Sequence, residues 1–186
     1  ASRYPEAIAA LRQAIDADPK AAHLYTRLAQ SLAADEQLEA AVAAYERSLA
    51  LGPEDGTARI EVAVLLTRMD RFADAEAQLR TAIAQDPKLA PAHRILGKLH
   101  YREGRYAEAA SAYEQATQAD PGFGEAWFDL AQVGIRQTDL DGAEAAFRRA
   151  IDTDSTDARF RDGLGFVFFK RRQFDAAAVE LERAVV

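Results

Sequence analysis

Prolines at 19, 53, 87 and 121 stand 34 residues apart, and Ser155 falls where a fifth would be. Each lies in a polar stretch: "DADPKA", "LGPEDG", "AQDPKLA", "QADPGF" and, around the serine, "DTDSTD". Proline cannot continue a helix and pushes the residue before it out of helical geometry, so these sites read as a helix stop followed by a turn. A turn recurring at one fixed interval restricts the chain to stacked copies of a small unit.

With each proline at position 32, the units are residues 22–55, 56–89, 90–123, 124–157 and 158–186, preceded by a half unit at 1–21. Position 8 is always small (Ala29, Ala63, Gly97, Ala131, Gly165), as is position 20 (Ala7, Ala41, Ala75, Ala109, Ala143, Ala177). Position 7 (Leu28, Val62, Leu96, Leu130, Leu164), position 17 (Tyr4, Leu38, Phe72, Tyr106, Leu140, Phe174) and position 24 (Leu11, Tyr45, Leu79, Tyr113, Phe147, Leu181) are large. Both halves of a unit carry apolar residues at helical spacing, separated by short polar breaks such as "AADEQ", "REGR" and "QTDLDG". Each unit therefore predicts two antiparallel helices, close at the small residues and interlocked by the large ones. One such unit cannot cover its own apolar face, so stability has to come from stacking on neighbours.

The pattern resembles the tetratricopeptide repeat, a 34-residue helix–turn–helix with W-x2-L-G-x2-Y, then A-x3-F, then P; "WFDLAQVG" from Trp127 and "AEAAFRRAIDTD" from Ala143 carry the likeness most closely. The resemblance spans essentially the whole chain. It implies an all-α, right-handed superhelical solenoid of about five and a half repeats in a single domain over 1–186, with no capping helix after the last repeat. Position 4 departs from the aromatic pattern at Arg59 and Arg161, and position 11 departs at Gly134. Those three sites are expected to mark less fully packed units.

The composition excludes several classes. No apolar run approaches the roughly 20 residues that span a bilayer, "GLGFVFF" at 163–169 being the nearest. No signal-peptide pattern opens the chain, although one already cleaved would leave no trace, and the compartment stays open between cytoplasm and periplasm. With no cysteine there is neither disulfide nor thiolate chemistry, and with no asparagine there is no glycosylation sequon. Abundant alanine and arginine point to a bacterial source of high GC content, with heat adaptation as the rival explanation. A net charge of -7 argues against a general nucleic-acid binder.

Candidate chemistry is sparse. His93 and His100 lie two turns apart on one helix face, but no Cys, Asp or Glu adjoins them there, whereas zinc needs three or four ligands; they read as packing residues at positions 4 and 11. "GLG" at 163–165 lacks the preceding strand and third glycine of a dinucleotide fingerprint. "DTDSTD" lacks the glycine of a calcium loop and reads as a turn with an acidic helix cap. No catalytic constellation, metal site or cofactor is implied, and the chain is expected not to be an enzyme.

In tetratricopeptide proteins the first helices line a concave surface through positions 2, 5, 9, 12 and 13. The resemblance thus nominates a peptide-binding groove of Arg68, Arg94, Lys98, Tyr101, Arg102, Arg136 and Lys170 beside Ile60, Val64, Phe128, Phe166 and Phe169. Positions 1–14 of the five units hold 11 Lys/Arg and 6 Asp/Glu, so a net +5 there leaves -12 for the rest of a chain totalling -7. A basic inner face within an acidic chain suits an acidic or amphipathic peptide. The competing reading is that Glu61 and Asp129, at position 6, neutralise the stripe from within. The absence of asparagine rules out both the family's Lys/Asn/Asn/Lys/Arg carboxylate clamp and its asparagine ladder.

The expected function is a protein–protein interaction module or scaffold for multiprotein assembly, with no nucleic-acid partner and no membrane insertion. The alternative is a scaffold that self-assembles through its ends, where Phe160, Val167, Phe168, Leu181 and Val185 are expected to await a following unit. A segment of a longer protein would look the same.

Overall fold

A computed structural model describes residues 4–184. These form eleven helices: α1 (Tyr4–Ala17), α2 (Ala22–Ala34), α3 (Leu38–Leu51), α4 (Gly56–Arg68), α5 (Phe72–Gln85), α6 (Ala90–Arg102), α7 (Tyr106–Ala119), α8 (Gly124–Gln137), α9 (Leu140–Thr153), α10 (Ala158–Lys170) and α11 (Phe174–Ala184). No strand occurs among the described residues. The first helix of every full unit starts at position 1 and the second at position 17, so the proline register and the helix boundaries coincide. Two compact units result, residues 1–87 and 88–186.

In residues 1–87, α2 pairs with α3 and α4 with α5, while α1 packs on α2 and α3 on α4. In residues 88–186 the pairs are α6 with α7, α8 with α9 and α10 with α11, stacked through α7 on α8 and α9 on α10. The small columns are where helices meet: Ala29, Ala63, Ala131, Ala41, Ala75 and Ala109 are fully buried. At Gly97 a methyl group would lie 2.6 Å from the Tyr113 ring, so only glycine lets α6 come this close to α7. The large columns fill the remaining space with Tyr45, Val62 and Leu79 in residues 1–87 and Tyr113 and Phe147 in residues 88–186, where Leu99, Val133 and Val167 at position 10 are also fully buried. Each such side chain contributes about 1.5–3 kcal/mol by leaving water.

A device invisible in the sequence joins the helices of each pair. Position 15 is left-handed in all five units, at Glu36 (φ 59), Asp70 (φ 56), Gly104 (φ 74), Thr138 (φ 64) and Arg172 (φ 62). The next N–H then donates back to the carbonyl of position 11, for example Gln37 to Leu32 at 2.9 Å and Asp139 to Gly134 at 2.8 Å. This closes the helix end with the bond pattern that normally recruits glycine, yet only one unit supplies it.

The departures in the pattern are not loose spots. Position 4 side chains reach the carbonyl of position 32 in the preceding turn: Tyr25 donates to Pro19 at 3.2 Å and Trp127 to Pro121 at 2.9 Å. Arg59 makes the same bond to Pro53 at 2.9 Å and adds Gln78 and Gln85 as acceptors. Its guanidinium replaces an aromatic edge as the donor. Arg161 instead meets Glu180 at 3.1 Å. Gly134 is buried, and a methyl group there would lie 3.2 Å from the Ala143 Cβ, so the site is tight. Likewise Phe160 and Val167 are buried and Phe168 is packed against a core shared with the preceding repeat, leaving Leu181 exposed; Val185 lies outside the described residues. Asp157 caps α10 by accepting from the Arg159 N–H, as its acidic turn predicts.

Candidate functional site

Within residues 88–186 the first helices α6, α8 and α10 adjoin in sequence, α6 against α8 and α8 against α10. Their N-terminal halves carry a ladder of internal ion pairs. Arg94 on α6 donates from Nε to Asp129 on α8 at 2.6 Å and from Nη1 to Glu125, and its guanidinium lies 5.4 Å from the Phe123 ring centroid. Arg94 and Asp129 are each only 15% accessible. Burial pushes the Asp129 carboxyl up from its ordinary range and Arg94 pulls it back, with desolvation the larger effect. Arg159 on α10 continues the ladder, 3.8 Å from Glu125 and above the Phe128 ring. Arg94 is therefore engaged by acids of the neighbouring repeat, as the neutralisation reading expects of Asp129.

The C-terminal halves differ. Lys98, Tyr101 and Arg102 of α6 line a pocket of about 260 Å³ with Tyr113 of α7 and with Asp129 and Gln132 of α8. Lys98 and Arg102 are exposed. The Tyr113 hydroxyl is held well above the usual tyrosine range, first by burial and then by Asp129. Arg136 donates from Nε to the Tyr101 hydroxyl at 2.8 Å, which fixes the ring at the pocket edge and leaves the phenolic proton available to a third group.

The remaining nominated residues fall in different settings. Phe128 is half-buried against Phe147 and Phe160, at ring separations of 5.8 and 5.6 Å. Phe166 is 43% and Phe169 56% exposed; Lys170 Nζ lies 5.3 Å above the Phe166 ring, and Phe169 meets Phe174 edge-on. In residues 1–87, Ile60 is a core residue and Val64 is half-buried, while Arg68 pairs with Glu36 at 2.5 Å. The position 13 cations also share a local role. Arg68, Arg102, Arg136 and Lys170 each stand in the last turn of a first helix, where a positive charge offsets the negative end of the helix dipole. His93 and His100 are buried at 8% and 5% exposure. Tyr113 and Gln132 belong to the pocket but were not nominated. Their signal was the register itself, since position 24 lies beneath the small position 8, and position 9 of one unit neighbours position 9 of the next.

The sequence matches the tetratricopeptide repeat family over residues 1–56, 60–122, 96–158 and 129–186. The chain belongs to that family. No curated protein matches the sequence significantly. Among solved structures, the protein of the work "Functional Characterization of Pseudomonas Aeruginosa pilF" superposes with a TM-score of 0.81 at 17% identity, over 96% of this chain and 81% of that one. MamA gives 0.75 at 18%, covering 85% and 92%. YrrB, described as a TPR protein with an unusual peptide-binding site, gives 0.69 at 20%, covering 95% and 91%. At these identities the likeness is one of fold, and a tetratricopeptide fold supports a protein–protein interaction scaffold. No described helix is long and apolar enough to cross a membrane.

Proposed function

We propose that the chain is a non-enzymatic recruiting module that binds an acidic or amphipathic segment of a partner protein along α6, α8 and α10, centred on Lys98, Tyr101 and Arg102. The observation that carries this reading is the pocket of about 260 Å³ with two exposed cations at its rim and a fixed aromatic ring at its edge. A concave site of this size takes one or two side chains, and its basic rim selects their charge. The peptide-binding site ascribed to YrrB supports such a use of the fold. Arg94, internally paired, serves as scaffolding for the site.

Lys98→Glu/Arg102→Glu tests the reading, since both residues are exposed and the fold should persist by circular dichroism. Binding of a fluorescein-labelled peptide with three glutamates and two phenylalanines should fall at least tenfold. Unchanged affinity would reject the site.

Exposure of Val179 (44%) and Leu181 (41%) on α11 favours a second reading, self-association through that helix. Light scattering across a concentration series decides it, and a constant mass would exclude assembly.

A further inference from the structure

The three first helices of residues 88–186 present equivalent positions of differing chemistry, and the difference has a direction. At position 9, Lys98 on α6 gives way to Gln132 on α8 and to Phe166 on α10. At position 12, Tyr101 gives way to Ile135 and then Phe169. The α6 end thus offers an exposed ammonium and guanidinium at the rim of the pocket, and the α10 end offers two exposed phenylalanine rings. Position 13 stays basic throughout, but its cations differ in company: Arg136 is hydrogen-bonded to Tyr101, and Lys170 lies over Phe166. The ion-pair ladder of Arg94, Glu125, Asp129 and Arg159 fills the N-terminal side of the same face. A ligand is accordingly confined to the C-terminal strip.

Resting on the reading above, we infer that the partner segment is an extended peptide with segregated chemistry, its carboxylates at α6 and an aromatic or aliphatic anchor at α10. Charge complementarity fixes the acidic end at Lys98 and Arg102. The exposed rings require burial against apolar side chains at the other end. Packed helix axes lie about 8–10 Å apart, so α6 and α10, separated by one helix, are roughly 16–20 Å apart. An extended chain advances about 3.3 Å per residue, which places the two halves of the motif about five or six residues from each other.

Fluorescence anisotropy on the full chain tests this with peptides of one composition: three glutamates and two phenylalanines separated by four Gly/Ser residues, in both sequence orders, and a control in which Glu and Phe alternate. One of the segregated peptides should bind at least tenfold more tightly than the control. Phe166→Ala should weaken that peptide about as much as replacing its phenylalanines by serine, and the two changes together should do no more than either alone. Equal affinity of segregated and alternating peptides, with Lys98→Glu still weakening both, would overturn the segregation while leaving the recruiting reading intact. Absence of binding by every peptide would overturn both.

Discussion

Replacing Arg94 by methionine removes the cation between Asp129 and Glu125 while keeping the length of the aliphatic stem. Removing one partner of a fully buried ion pair costs roughly 3–5 kcal/mol because an uncompensated charge stays behind. Here the pair retains 15% accessibility on each side, and Lys98 also acts on Asp129, so the loss should be nearer 2 kcal/mol. With a urea m-value of roughly 2 kcal/mol/M, the unfolding midpoint should drop by about 1 M at neutral pH. Burial already raises the Asp129 pKa, and loss of Arg94 raises it further. A carboxyl raised above its unfolded value stabilises the fold below the ordinary carboxylate range and loses that contribution as pH rises through the folded value. The deficit should therefore narrow on acidification. Arg94→Met/Asp129→Leu, which removes both charges, should return most of the stability. A single variant with an unshifted midpoint would refute the argument and make Arg94 available to a ligand.

Gly97→Ala gains about 1 kcal/mol in helix propensity but drives a methyl group to 2.6 Å from the buried Tyr113 ring, an overpacking cost of roughly 1–3 kcal/mol; a net loss is expected in urea unfolding, and a gain would show that the ring yields freely. Thr138→Gly relieves a β-branched residue at φ 64 and should stabilise by about 0.5–1 kcal/mol after the added unfolded-state entropy, whereas no gain would mean the turn is unstrained. Burial pushes the Tyr45 hydroxyl up to about 12 and Tyr113 further, so the neutral phenols favour the fold below the unfolded value near 10 and this contribution is lost as pH rises through the folded values. Ultraviolet titration of Tyr45→Phe and Tyr113→Phe should show loss of the late phase alone, and loss from the early phase would contradict the burial argument.

Much of the candidate site was legible only as a set of positions. The register marked Lys98, Tyr101 and Arg102 as neighbours on one face, and they line one pocket. It equally marked Arg94, Ile60 and Phe128, which are engaged in an ion pair, in the core and in an aromatic cluster respectively. A position number states the direction in which a side chain leaves its helix. Its neighbours depend on the next unit, whose residues at the facing positions differ from repeat to repeat.

The sequence alone determined the 34-residue unit, its division into two helices by a short turn, and the columns of small and large residues that pack them. These contacts recur in every unit, so each column samples the same constraint five times and shows it as periodicity. Only tertiary structure decided the rest. The left-handed position 15 accepts Glu, Asp, Thr and Arg as well as Gly, because the bond back to position 11 and the packing of both helices hold it there. Arg59 serves in an aromatic column because acceptors on the following helix receive it. Which cations of the basic row remain accessible was settled by single pairings such as Arg94 with Asp129, 35 residues apart and present in one unit only.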